Sequence, residues 1–531
     1  MAEKETGAIK VIKPQGKVTR RGFVGMMGMM GALGLGGCAP KAATKTLSET
    51  GADDADGAGS EAAGEREAVL HDINHDRSVE TAWSGSAATL AGIDWSGTPE
   101  NIQKVGGSTM PLEELNNRRQ LYVDSQTAFT CSDGTVVPEV YVKLYALINT
   151  YSCGSGNIPN DLTFSYMMEV LDEEHAQALL DSPMGVWFSA GEMAEKTGRS
   201  VEDCDRLLKD MRKIGYICAA DRVEGTVYHQ PALGALGGYL MTDEQFAKCK
   251  GSDGNFSCLP MGDDYFDHWN NAGTSYYYPV PCDKSVVDSG EILECDDVEA
   301  LFARHEHFAV APCACSYFET IMAVDDYPTL ADFRTGEYTE YTHEIEGDDL
   351  RLERCLFTGE EAQFWVELGI AREIDRNEAM SILRRNVEEG YVIEPYFQSD
   401  SACVCSCKGS VCAGLGGWMA SYAEGPDIYE NANAYQQVSH YDLVVDFDRC
   451  LKCGMCSLRC QMQAIEMTGE DGTPEITGLC VRCGQCAYTC PAEARKLHLR
   501  PEEELLMPIP DTLCDDWNSK AAFRFEQGFI W

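Results

Sequence analysis

From about Val136 onward, apolar positions along the chain fall at helical spacing. The stretch VPEVYVKLYALINTY predicts a helix, and LTFSYMMEVLDEEHAQALLDS predicts another. Two helix starts follow, Ser189 with Glu192 and Ser200 with Asp203, each a capping hydroxyl with an acid three residues on. Gly198 between them marks a helix end. The second of these helices strings Val201, Cys204, Leu207, Leu208, Met211 and Ile214 along one stripe. GYICAADRVEGTVYHQ then alternates like two strands turning near Gly225.

Helix, turn, helix and ribbon make a winged-helix pattern over 136–230. Its second helix mixes Glu202, Asp203, Asp205 and Asp210 with Arg206, Lys209, Arg212 and Lys213. That face suits DNA poorly, so a structural module is expected. Between 296 and 412 helices and strands alternate. A helix near 296–304 leads to the strand HFAVAP, then come the helices GEEAQFWVELG and DRNEAMSILRRNVEEG and the strand YVIEPYF. Asp375 with Glu378 opens the last helix and Gly390 closes it. Elsewhere the pattern is weak. Residues 69–135 predict an irregular N-terminal region of loops and short elements, 231–295 a loop-rich connector, and 500–531 a tail. Residues 39–68, rich in Ala, Gly, Asp, Glu and Ser, predict a flexible tether.

Ahead of that tether, Lys4, Lys10, Lys13 and Lys17 lead to Arg20 and Arg21 and then to an apolar, Gly-rich run from Phe23 to Gly37. The run is shorter than the roughly 20 residues that cross a bilayer as a helix, so it reads as an export signal. The paired arginines before Phe23 resemble a twin-arginine signal, and LGGC ending at Cys38 resembles a lipobox. That resemblance implies cleavage before Cys38, a lipid on its sulfur, and a place on the outer face of the cytoplasmic membrane. A general secretory signal with an incidental cysteine is the alternative.

Charge and length narrow the partners. The chain of 531 residues has room for about three domains and carries 42 basic against 86 acidic residues, a net charge of -44. Such a surface repels nucleic acid and anionic lipid and favours cationic partners, although acidity also keeps an exported protein soluble.

The 25 cysteines carry the chemistry. CLKCGMCSLRC supplies Cys450, Cys453, Cys456 and Cys460, and CVRCGQCAYTCP repeats the pattern 30 residues later with Cys480, Cys483, Cys486 and Cys490. Each copy is C-x2-C-x2-C-x3-C, a spacing by which three thiolates wrap one 4Fe-4S cube and the fourth reaches its neighbour. Zinc is the alternative that thiolates always leave open. Upstream lie Cys313 and Cys315 in APCACSYF, Cys355 in RLERCLFTGEE, and Cys403, Cys405, Cys407 and Cys412 in ACVCSCKGSVC. Here two strands are expected to end in C-x-C steps and Cys355 to precede a helix N-terminus, a layout suited to a third iron-sulfur cluster or to zinc. Cys204 and Cys218 read as winged-helix core, while Cys131, Cys153, Cys249, Cys258, Cys282, Cys295 and Cys514 are open to disulfides. His305 and His307 are expected to share one face of a short strand as a solvated pair. No motif signals a flavin, NAD or c-type haem.

The 441–499 segment resembles a bacterial two-cluster ferredoxin domain, with VVDFDRC as its entering strand. On that resemblance Cys450, Cys453, Cys456 and Cys490 hold one cluster, and Cys480, Cys483, Cys486 and Cys460 the other. Gln461 departs from the family, which has proline after the fourth cysteine. The wider arrangement over 136–499 resembles bacterial ferredoxin-like proteins in which a winged-helix region and a C-x-C module precede the two-cluster domain. The expectation is therefore an α+β protein: signal 1–38, tether 39–68, irregular region 69–135, winged-helix domain 136–230, connector 231–295, Cys-rich module 296–440, ferredoxin domain 441–499 and tail 500–531. Its expected role is single-electron relay to or from a redox partner protein. A terminal reductase using a third cluster at 296–412 and a redox-sensing interaction protein are the alternatives.

Overall fold

In the computed structural model helices and strands mix in an α+β architecture. It describes residues 69–70, 110–131, 133–151, 161–229, 277–282, 285, 292–313, 342–345, 348–351, 353–409, 412, 415, 439–468, 472–476, 480–502, 505 and 509–526. The leader with Arg20, Arg21 and Cys38, the tether, and Cys153, Cys249, Cys258 and Cys315 lie outside the described residues. Among those described, no helix is long and apolar enough to cross a membrane.

The chain opens with β1 (Val69–Leu70), α1 (Leu112–Ser125), and the short pair β2 (Phe129–Thr130) and β3 (Val136–Val137). The 14-residue α1 corrects the expectation of an irregular region. Its buried stripe is Leu115, Arg119 and Val123, and an arginine at the middle position hides the helix from a count of apolar residues. Arg119 is tolerated there because its guanidinium lies 4.5 Å over the Tyr151 ring and donates to Asn116 and Asn518 Oδ1, each at 3.0 Å. Next come α2 (Glu139–Asn149), α3 (Asp161–Val170) and α4 (Glu173–Asp181). The stretch expected as a single helix is thus two, because Asp172 caps a new start by accepting the His175 backbone N–H at 2.9 Å. In α5 (Ala190–Thr197) Ser189 and Glu192 form the full reciprocal cap, and Gly198 ends the helix with φ 72°. In α6 (Val201–Lys213) Cys204, Leu207, Leu208 and Met211 are buried. Val201 is not on that face; it is 55% exposed, since the first turn lies beyond the packing partner. The ribbon β4 (Cys218–Arg222) and β5 (Gly225–His229) follows, paired Cys218↔His229 through Arg222↔Gly225.

The second body comprises α7 (Val298–Ala303), β6 (Phe308–Pro312), β7 (Thr342–Ile345), β8 (Asp348–Arg351), β9 (Glu353–Thr358), α8 (Gly359–Glu367), β10 (Arg372–Ile374), α9 (Arg376–Glu389), β11 (Val392–Pro395) and β12 (Cys403–Cys407). Five of its strands form an antiparallel sheet in the order β10-β6-β9-β12-β11. Because side chains alternate across a strand, the sheet has two unlike faces. Phe308, Val310, Leu356, Ile393 and Val404 pack under α7 and α9 with Leu301, Phe302, Ala379 and Leu383. The opposite face carries Ala309, Ala311, Cys355, Phe357, Val392, Cys403, Cys405 and Cys407, which belong to the larger core shared with the helical region. Each fully buried Leu, Ile or Phe contributes on the order of 1.5–3 kcal/mol, so both faces are anchored.

Cys355 lies in β9 and precedes α8 by four residues, as expected. Two expectations are corrected here. The 403–407 cysteines form a strand of their own, since YVIEPYF stops pairing after Pro395 and the chain returns antiparallel. His305 and His307 precede β6 instead of lying in it; His305 Nε2 meets Asp400 Oδ1 at 2.9 Å, while His307 is exposed.

The third body holds β13 (Tyr441–Val445), α10 (Met455–Arg459), β14 (Ile465–Glu466), β15 (Glu475–Ile476), α11 (Gln485–Tyr488) and β16 (Arg495–Leu499). β13 lies between β1 and β16, registered Val69↔Val445 and Tyr441↔Leu499. The expected tail is corrected to a 14-residue helix, α12 (Leu513–Glu526), with Trp517, Ala521, Ala522 and Phe523 buried. Buried Asp516, Lys520 and Arg524 break up its apolar pattern; Lys520 Nζ and Asp516 Oδ2 pair at 2.6 Å.

Candidate metal centres

The two cysteine repeats fold as copies. Lys452 and Arg482 have φ of 53° and 55°, Gly454 and Gly484 of 76° and 79°, and Gln463 and Glu493 of 52° and 49°. These are the only four non-glycine residues with positive φ among those described. A left-handed residue costs about 1 kcal/mol or more where a side chain is present, so its recurrence at matched positions marks a constrained loop. Each loop turns into a short helix, α10 or α11, capped by its glycine. The fourth cysteine of each copy accepts a backbone N–H, from Ala464 to Cys460 Sγ and from Ala494 to Cys490 Sγ, both at 3.3 Å.

The cysteines segregate into two sets that cross the repeats. Cys450, Cys453, Cys456 and Cys490 line one cavity, closed by Met467, Pro474 and Arg495. Cys460 instead faces Cys480, and Cys483 faces both Cys460 and Cys486. The first set is near solvent, with Cys453 exposed, whereas Cys460, Cys480 and Cys483 pack into the large core. No three of these eight sulfurs lie within 4.8 Å of one another, which leaves room between them for more than a single ion.

Electrostatics favours an anionic occupant. Arg495 is 1% exposed and neither Nη has a hydrogen-bond partner. Its charge acts on Cys456 in the first set and on Cys480 and Cys486 in the second. Burial pushes the thiols up, Cys460 to about 11, while Arg495 and backbone N–H groups pull several of them back toward thiolate. A buried guanidinium with both Nη groups unpaired beside these thiols favours a negatively charged occupant.

Around the middle sheet the structure joins Cys313, Cys355, Cys403, Cys405, Cys407 and Cys412, all buried. Cys405 Sγ is 3.8 Å from both Cys403 Sγ and Cys355 Sγ. The Cys313 and Cys355 thiols share a hydrogen bond, as do those of Cys412 and Cys407, and the phenol of Tyr277 hydrogen-bonds to Cys405. The Arg354 guanidinium faces Cys313, Cys355 and Cys407 and lies 4.5 Å over the Tyr391 ring. This thiol face and Cys460, Cys480 and Cys483 share one core, and Gly409 abuts the Gln461–Met462 backbone just beyond Cys460.

Two residues at these sites carry no signal in the spacing. Cys282 is buried beside the second set, where Gln485 Nε2 donates to its sulfur at 3.5 Å. Glu394 is fully buried on β11 and closes a compact group with Cys407 and Cys412. Cys204 and Cys218 are buried in the helical region. No disulfide joins two described cysteines.

In comparisons with protein-family models, curated proteins and solved structures, nothing matches the chain.

Proposed function

We propose that the chain is an exported iron-sulfur protein, tethered to the outer face of the cytoplasmic membrane through Cys38, that relays single electrons to or from a partner oxidoreductase. Cys450, Cys453, Cys456 and Cys490 would hold one 4Fe-4S cluster and Cys460, Cys480, Cys483 and Cys486 the other, in a two-cluster ferredoxin domain. When bound, such clusters accept and donate one electron each without proton-transfer groups from the protein. The observation that carries this reading is the cavity where three cysteines of one repeat meet the fourth of the other, beside an unpartnered buried arginine.

The chain's own residues supply the rest. Backbone N–H groups at Ala464 and Ala494 hold sulfur charge, and packing of Cys460, Cys480 and Cys483 against the large core shields the second set more than the first. Near the exposed Cys453, Leu451 is 67% and Leu458 85% exposed, an apolar rim fit for a protein partner. The 136–230 region supports a winged-helix reading without DNA binding, because the charges on α6 are engaged within the protein. Arg206 pairs with Asp203 and Glu174, Lys209 with Asp205, Arg212 with Asp221 and Glu367, and Lys213 with Asp210.

Iron and acid-labile sulfide, measured on anaerobically purified protein with EPR of the reduced state, test the reading. About eight of each per chain and signals from two interacting clusters are expected. Zinc in place of iron at these eight cysteines, or fewer than about four irons, would overturn it.

A further inference from the structure

We propose that Cys407, Cys412 and Glu394 form a separate site for one zinc-class divalent cation on the thiol face of the five-stranded sheet, with Cys405 beside it. It is independent of the eight-cysteine segment and of its electron-relay role.

Strand alternation builds the site. Cys405 and Cys407 point to the same face of β12, and antiparallel pairing sets Glu394 directly across from Cys405. The chain then turns tightly, with Cys412 N–H donating to the Lys408 carbonyl at 2.8 Å, and brings Cys412 back beneath Cys407. One carboxylate oxygen of Glu394 and the sulfurs of Cys407 and Cys412 all lie within 4.8 Å of one another. Metal-sulfur bonds of about 2.3 Å in a tetrahedron place sulfurs roughly 3.8 Å apart, so this spacing suits a single ion. The thiolates of a 4Fe-4S cube, each on its own iron, must stand wider apart, as the eight downstream cysteines do.

The decisive residue is Glu394. It is 0% exposed, and neither carboxylate oxygen has a hydrogen-bond partner. The groups around it are sulfurs; the Cys407 thiol lies against it, and Cys405 and Cys412 are near. A fully buried carboxyl whose one close donor is the weakly donating Cys407 thiol is costly unless a cation sits between them. Two thiolates and a carboxylate would leave one negative charge on a dication, and the Arg354 guanidinium facing Cys407 offsets it. The donor set is soft with one hard oxygen, which suits zinc or ferrous iron and excludes magnesium or calcium. Ligation displaces the thiol protons to solvent and changes no oxidation state. Cys405 stays outside the set with its neighbours Cys355 and Cys403, each 3.8 Å from its sulfur.

The test is metal content and cobalt binding of the full chain, compared among the wild type, Glu394→Gln, Cys412→Ser and the control Cys355→Ser. Zinc, iron and acid-labile sulfide are counted on each, and Co2+ is titrated while the thiolate-to-cobalt absorption is followed. The wild type should hold one ion beyond those matched by sulfide. Glu394→Gln and Cys412→Ser should weaken Co2+ binding at least tenfold with iron and sulfide unchanged, and Cys355→Ser should bind as the wild type does. Glu394→Gln preserves shape, so a variant that still carries its iron is folded. About twelve irons matched by twelve sulfides, no sulfide-free metal in the wild type, or Co2+ binding lost only in Cys355→Ser would each overturn the proposal. Sulfide reports the clusters and Co2+ reports this site, so failure of one reading is separable from failure of the other.

Discussion

At the scale of single residues, the candidate sites divide into ligands that spacing announces and supporters that only burial reveals. The eight cysteines of the repeat are legible because short, duplicated steps have few other uses. Arg495 is not, since an arginine five residues past a cysteine is unremarkable until its side chain is found orphaned between two thiol sets. In the proposed two-cluster arrangement its positive charge favours the reduced, more negative state. A neighbouring unit charge in an effective dielectric of about 20 is worth on the order of a few kcal/mol. Arg495→Met is therefore expected to lower both reduction potentials by tens of millivolts or more in EPR-monitored titrations. Potentials that do not move would remove the guanidinium from the electrostatics of these sites.

Among the elements, caps and stops were readable while buried charge was not. Ser189, Ser200 and Asp375 each accept the backbone N–H three residues on, and Gly198 and Gly390 end their helices in the left-handed region, as their types require. α1 and α12 escaped notice because Arg119, Asp516, Lys520 and Arg524 occupy core positions. A half-buried acid lies in the first turn of α8. Glu361, in its first turn, accepts the Trp365 Nε1–H at 3.0 Å, and burial pushes its carboxyl from 4.5 up to about 7. The folded state therefore holds a proton there that the unfolded chain has released. Its stabilising share is full below pH 4.5 and is lost as pH rises toward about 7. Glu361→Gln should melt at a higher temperature than the wild type above pH 7, with the gap closing toward pH 4.5. Parallel melting curves across that range would show that the shift does not couple to stability.

For the whole molecule, the middle sheet meets the eight-cysteine segment tightly at Gly409, where an added Cβ would lie 2.1 Å from the Gln461 carbonyl oxygen and 3.2 Å from Met462 Sδ. Backbone cannot swing aside, so Gly409→Ala must push the two bodies apart, with an overpacking cost of about 1–3 kcal/mol. Because Gln461 follows Cys460, the strain falls on the second thiol set. The variant is expected to melt lower and to lose iron from that set before the first, seen as about four irons per chain with one EPR centre remaining. Loss of both centres together would mean that the junction carries the whole fold. Arg212, paired with Asp221 and Glu367, and Arg222, paired with Glu360, make the corresponding link between the helical region and α8. These pairs are largely exposed, so each contributes less than about 1 kcal/mol.

Local chemistry along the chain determined the mixed α+β character, most helix boundaries and the duplicated cysteine loops, because capping, glycine stops and C-x2-C steps act over a few residues. Tertiary structure alone decided that a cysteine strand lies on one face of an antiparallel sheet, and that the Glu394 carboxylate and the Arg495 Nη groups are left without hydrogen-bond partners among thiols. Those outcomes depend on strand register and burial between segments up to hundreds of residues apart, which no local pattern encodes.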